Sequence, residues 1–212
     1  MFSFKPKKTE VVEPKFNQDL EIISQMNQEF ALSLDLNETL QTALKVIIQR
    51  ISAKAANVFL INDKKKLFEC IASVGQNYLD EYSIPITDGV MGKSVAQKKC
   101  IRVGNVRKDV REIAEFYFDL DNKTNFTTYS VLCAPLIAAN ECIGVIHCLN
   151  KKSENNLFEE EDRNLLETLA APAAFAIRNA KMAKEMIEQN KIQKEIEIVG
   201  EIQQSLLSKN KE

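Results

Sequence analysis

A single histidine, His147, and five cysteines with no CxxC spacing among them leave this 212-residue chain without the ligand cluster that a zinc site needs. The cysteines, Cys70, Cys100, Cys133, Cys142 and Cys148, lie mostly inside apolar runs, which reads as buried free thiols in a reducing cytosol. No stretch approaches the roughly 18–20 uninterrupted apolar residues of a bilayer span. The opening Met1-Phe-Ser-Phe-Lys-Pro-Lys-Lys lacks the apolar core of a signal peptide, so the expected location is cytoplasmic, away from membranes. Cationic surplus is missing too: 28 Lys and Arg against 30 Asp and Glu give a net charge of −2, which argues against nucleic acid as the main partner. What the chain does have is 45% hydrophobic residues beside 27% charged ones, enough to bury one core of ordinary size.

Periodicity sorts the chain into an arm, a mixed domain and a long helix. Residues 1–15 mix Lys, Pro and Glu without period and read as a flexible arm, and 16–180 as one domain. Leu20, Ile23 and Phe30 recur at helical spacing and predict a helix over 17–33, and Asn37 caps a second helix carrying Leu40, Leu44, Ile47, Ile48 and Ile51. Strands are predicted at 57–61, 66–73 and 82–86, and a short helix follows Asp88-Gly89. The stretch beyond Val103 reads as a variable connection. Two apolar runs, 130–137 and 143–150, flank the polar turn Ala139-Asn140-Glu141 and predict a hairpin that feeds a helix from about 159 to 207, kinked at Pro172.

That hairpin ends on the most informative pattern in the chain. Asn150-Lys151, then Phe158 and Asp162, resembles the Asn-Lys-Phe-Asp-Glu signature of GAF domains, with Arg163 where the final Glu usually stands. The resemblance implies an α+β fold, an α/β/α sandwich with an antiparallel sheet flanked by helices, and a regulatory module rather than an enzyme. On chemical grounds these four residues are assigned to structure. An Asn-Lys pair at a strand end and an Asp at a helix start can bridge through charge and hydrogen bonds.

A second stretch, Phe116-Tyr-Phe-Asp-Leu-Asp-Asn-Lys-Thr-Asn-Phe-Thr-Thr-Tyr-Ser-Val-Leu-Cys-Ala-Pro, resembles the pocket-covering segment of cyclic-nucleotide-binding GAF domains. It implies that Tyr117, Asp121, Thr124 and Thr128 line a lid, and that Val90 and Met91 meet a purine at a helix entrance. The ligand class implied is a cyclic nucleotide, cyclic AMP or cyclic GMP, held by hydroxyl and N–H donors beside an apolar slot. Three positions depart from relatives that bind cyclic GMP. Ala72 and Ser73 stand where an aromatic and an Asp are common, and His147 stands where an acidic residue is common; by position Ser73 and His147 stay among the candidate ligand contacts. Because histidine both donates and accepts, no base preference carries over. Asn57 is read as either a polar group of the pocket or the start of a strand, and His147 as either a ligand contact or a core histidine bonded to backbone.

Residues 181–212 read as a linker or coiled-coil helix. Ile192, Ile196, Val199, Gln203 and Leu206 alternate in steps of four and three, a short dimer seam. Glu201, Ile202, Gln203, Leu206 and Leu207 resemble the helix that leads into PPM-type Ser/Thr phosphatase domains of bacterial regulators, which implies such an effector in cis. Three function classes follow: a ligand-responsive sensor that acts as a homodimer through its terminal helices, an interaction domain whose pocket its own side chains fill, and a thiol enzyme acting on oxidised methionine.

Overall fold

The computed structural model describes residues 36–76, 83–108 and 111–209, together with the helical positions Glu21, Ser24 and Gln28. The expected arm over 1–15 and most of the helix expected over 17–33 lie outside the described residues. The element order is α1 (Leu36–Arg50), β1 (Ala53–Asn62), β2 (Leu67–Gly75), β3 (Ser83–Pro85), α2 (Gly89–Gln97), β4 (Ile101–Val103), a 3-10 turn (Val106–Lys108), α3 (Arg111–Thr124), β5 (Val131–Ala138), β6 (Glu141–Lys151) and α4 (Glu160–Lys209).

One antiparallel sheet in the order β3-β2-β1-β6-β5-β4 organises everything else. β1, β5 and β6 are buried along almost their whole length, and their sequences are accordingly near-continuous apolar runs rather than alternations. Helices cover both faces. On one, Leu40, Leu44 and Ile47 of α1 and Leu166, Leu169 and Ile177 of α4 pack on Val58, Leu132 and Ile146. On the other, Val90 and Met91 of α2 and Tyr117 and Leu120 of α3 pack on Phe59, Val145 and Cys133. This is the expected helix-flanked antiparallel sandwich.

Local chemistry explains the turns. Ala139 and Asn140 both take positive φ, 47° and 69°, which makes the β5–β6 connection a two-residue turn whose twist matches the strands. Gly92 sits where a Cβ would lie 2.4 Å from the Thr87 carbonyl group, so only glycine lets α2 start this close to the preceding chain.

Two expectations need correcting. The strand expected from Asn57 already begins at Ala53, because alanines there are small enough to be buried on both faces. The stretch read as a variable connection and lid holds α3, a 14-residue helix. Its buried positions, Tyr117, Leu120 and Asp121, lie on one helical face, and the polar run 121–125 hides that face in a linear reading. α4 runs without interruption through Pro172 for 50 residues, about 75 Å at the usual helical rise.

Candidate functional site

Four side chains form a row across the second face of the sheet. Register places Ser73 opposite Asn57, Asn57 opposite His147 and His147 opposite Cys133, so all four point the same way, under α2 and α3. All are buried. The Ser73 hydroxyl donates to Asn57 Oδ1 at 2.6 Å. Next to this pair, His147 is fully enclosed: Phe59 meets it edge-on at 6.3 Å between ring centroids, and Tyr117 approaches end-on, with centroids 5.8 Å apart and the planes within 25° of parallel.

Tyr117 also bonds His147 through its hydroxyl, Oη to Nε2 at 2.7 Å. The other imidazole nitrogen, Nδ1, is buried with no hydrogen-bond partner among the described residues. Burial lowers the His147 pKa from 6.5 to about 3, so the ring is neutral. Burial likewise pushes the Tyr117 phenol well above its ordinary value, with smaller contributions from Cys133 and Asp121. The pair is therefore an uncharged hydrogen bond between a phenol and an imidazole whose second nitrogen has no partner among the described residues.

One helical turn beyond Tyr117, Asp121 anchors α3. Its carboxylate accepts from the Thr128 backbone N–H at 2.8 Å and the Thr128 hydroxyl at 2.6 Å, and it pairs with the Arg107 guanidinium. Arg107 lies over the Phe118 ring, 5.7 Å from its centroid, and its Nε donates to the Thr128 carbonyl at 3.4 Å. The site residues expected on the lid thus divide. Tyr117 reaches the row on the sheet, Asp121 and Thr128 lock the helix, and the Thr124 hydroxyl is spent on the Leu120 carbonyl at 2.9 Å. Val90 and Met91 sit wholly inside the second core at the start of α2.

Sequence reasoning missed Arg107 and Phe59. No linear signal pointed to Arg107, because the inward placement of Asp121, which calls for a donor or a cation, appears only once α3 is folded.

The motif residues meet at the other end of β6. Asn150, at φ 57°, turns its amide toward the chain entering β5: Oδ1 accepts from the N–H of Tyr129 at 2.7 Å, and Nδ2 donates to the Thr127 carbonyl at 2.6 Å. Lys151 Nζ bridges the Ile51 carbonyl and Asp162 Oδ1, both at 2.7 Å, while Asp162 Oδ2 accepts from the Glu159 N–H at 2.9 Å and Phe158 is buried beside them. Arg163, in the place of the usual Glu, reaches Glu160 at 2.8 Å and Glu167 at 3.4 Å along the helix surface.

The thiols are poorly placed for nucleophilic work. Burial pushes Cys100 up to about 12 and raises Cys133, Cys142 and Cys148 as well, the opposite of the activation a thiolate needs. Among the described residues no group of His, Cys, Asp and Glu could hold a metal ion, and no helix is long and apolar enough to cross a membrane. An open cleft of about 560 Å³, where α4 leaves the sheet, is lined by Leu60, Cys142, Ile143, Arg178 and Met182 and contains none of the expected site residues.

An antiparallel sheet with terminal helices on one face and a buried polar and aromatic row under two shorter helices on the other defines a regulatory class of α+β module. The GAF domain family model matches residues 33–178, and the chain belongs to that family. Similar curated proteins include a probable 3',5'-cyclic phosphodiesterase of Caenorhabditis elegans, 25% identical over 143 residues, 62% of this chain and 19% of that protein. The dual 3',5'-cyclic-AMP and -GMP phosphodiesterase 11A of Takifugu rubripes is 25% identical over 179 residues, 79% of this chain and again 19% of the relative. The chain therefore spans about a fifth of the length of these relatives. Among solved structures, the GAF domain of a phosphoenolpyruvate-protein phosphotransferase from Coxiella burnetii is 18% identical with a TM-score of 0.68, covering 81% of this chain and 99% of its own. Free methionine-R-sulfoxide reductase from Neisseria meningitidis is 20% identical at TM-score 0.64, covering 86% and 97%. At such identities the likeness is one of fold.

Proposed function

We propose that this chain is the small-molecule-responsive sensor of a cytoplasmic bacterial signalling protein, with its ligand site at the row Ser73, Asn57 and His147 beneath α3. One observation carries the reading: a fully buried imidazole with a nitrogen unpartnered among the described residues stands beside two more polar side chains, with apolar core residues around them. Buried polar atoms are almost always paired, and convergent polar groups in an apolar enclosure are the usual make-up of a ligand site. A cyclic nucleotide is the proposed ligand class, in line with the names of the relatives and the composition of the α3 segment. Thermal unfolding with cyclic AMP and cyclic GMP tests it, since a ligand bound only by the native state raises the melting temperature by mass action. No shift at millimolar concentration with either nucleotide removes the cyclic-nucleotide assignment.

Output runs through α4 to an effector in cis, for which a PPM-type phosphatase is the proposal carried by the 201–207 pattern. The helix is also the proposed dimer element. Ile192, Ile196 and Val199 are exposed in steps of four and three, and the exposed Phe175 and Met182 share the heptad position of Ile196, with Arg178, Glu185 and Gln189 at the seam positions between them. Sedimentation equilibrium of the chain and of an Ile192→Asp, Ile196→Asp variant decides this: dimer for the first, monomer for the second.

A second reading is favoured by a specific observation. Tyr117 already fills the chamber, with no part of it exposed, as in an interaction domain whose pocket is its own core.

A further inference from the structure

We infer that Tyr117 is a built-in competitor for the ligand, and that a ligand enters with an uncharged planar ring foremost, displacing the phenol from its place beside His147 and its bond to that ring. The inference deepens the ligand-site reading and rests on it. It also makes one structure of the two readings above: the self-filled chamber is the resting state of a site that a ligand can take over.

Three features of the chamber define what can replace Tyr117. The place is shaped for a flat ring, because the phenol lies nearly parallel to the imidazole and Phe59 closes it from the side. The ring must carry a polar atom at its edge, since Nε2 of His147 loses its bond when Tyr117 leaves. Its deep end must be uncharged. Arg107 is committed to Asp121 and Thr128, and among the described residues the groups against His147 are the uncharged Tyr117, Phe59, Asn57 and Cys133, so a charge there would be desolvated with no counter-charge from them. A heteroaromatic base or a phenol meets all three conditions, and any anionic part of the ligand stays outside the chamber.

Nδ1 supplies the margin by which a ligand can win. Tyr117 holds the advantage of being tethered, yet it leaves that nitrogen unsatisfied. A ligand with a second polar atom in reach of Nδ1 gains about tenfold or more in affinity over one that merely copies the phenol. Among the described residues, Asp121 ties the helix that must give way to the 3-10 turn and to Thr128 ahead of β5, and Tyr117 ties it to the sheet.

The test compares the full chain with its Tyr117→Phe variant, which keeps the ring and removes the bond to Nε2. Adenosine, guanosine and their 3',5'-cyclic monophosphates are titrated by calorimetry, with the His147 side-chain nitrogens followed by NMR. At least one probe is expected to bind both proteins, about two- to twelvefold more tightly to the variant, the value of one hydrogen bond. The ratio should be alike for a nucleoside and its cyclic phosphate, and the His147 nitrogen resonances should move in both proteins. Equal or weaker binding by the variant, with His147 still responding, overturns the competition and leaves the ligand site standing. If no probe binds either protein and His147 stays unmoved, both readings fall.

Discussion

His147 makes the fold sensitive to mild acid. Burial lowers its pKa in the native protein from 6.5 to about 3, whereas in the unfolded chain the imidazole titrates at its ordinary 6.5. Between those values the unfolded state binds one proton more than the native state, so native stability rises with pH across the window. The contribution is complete above pH 6.5 and is lost as pH falls toward 3. Each pH unit in the window is worth about 1.4 kcal/mol, and a drop from neutrality to about pH 5 therefore removes about 2 kcal/mol. For a domain of this size that is a fall in Tm of roughly 4–8 °C. Among the described residues the titratable groups facing the ring are Tyr117 and Cys133, both held neutral by burial, and neither offsets the loss. Urea unfolding of the wild type and of His147→Gln at both pH values isolates the effect, because every other titrating group is common to the two proteins. The wild type is expected to lose about 2 kcal/mol more than the variant. Parallel losses would refute the reasoning and mean that the buried imidazole accepts a proton without opening the fold.

The Asp121 cluster and two glycines give further tests. Asp121→Asn keeps the shape but removes the counter-charge of Arg107, a side chain 29% exposed, and is expected to cost about 2 kcal/mol in denaturant unfolding, less than a wholly buried pair. Gly144→Ala places a Cβ 2.1 Å from the Phe59 carbonyl oxygen on the neighbouring strand, and should cost about 1–3 kcal/mol by the same measurement. Gly200→Ala, with nothing within 4 Å of the new atom, should instead strengthen α4 by up to about 1 kcal/mol, seen as added helical circular dichroism near the melting point.

The fold was legible because its signals are local or periodic. The hairpin is announced by two apolar runs and a polar turn, and α1 by Leu40, Leu44 and Ile47 at helical spacing. The end of β6 was legible for a different reason. Asn150, Lys151, Phe158 and Asp162 have sequence neighbours as partners or backbone groups close by in the fold, so their types alone suggest what they do. α3 was not legible in this way. The described part of its inward face holds a tyrosine, a leucine and an aspartate, and the aspartate makes sense only once Arg107 and Thr128 are folded against it. The row Ser73, Asn57 and His147 had the same difficulty. Each residue was named as a candidate, but the pairing of Asn57 with Ser73 depends on β1–β2 register and that of His147 with Tyr117 on where α3 lands.

The motif and the candidate site are nevertheless neighbours in a physical sense that the sequence conceals. Thr128 bonds Asp121 on α3, and the residues on either side of it, Thr127 and Tyr129, bond the two ends of the Asn150 amide. The next residue, Lys151, holds Asp162 in the first turn of α4. A short segment ahead of β5 is thus gripped from one side by the helix that carries Tyr117 and from the other by the residues that start the output helix. The side chains that define the family in sequence stand between α3 and α4, and do not enter the chamber. A motif with that placement can be retained whatever the chamber binds, which is why Asn150, Lys151 and Asp162 identify the fold while leaving the chemistry of recognition to Tyr117, His147 and the polar pair beside them.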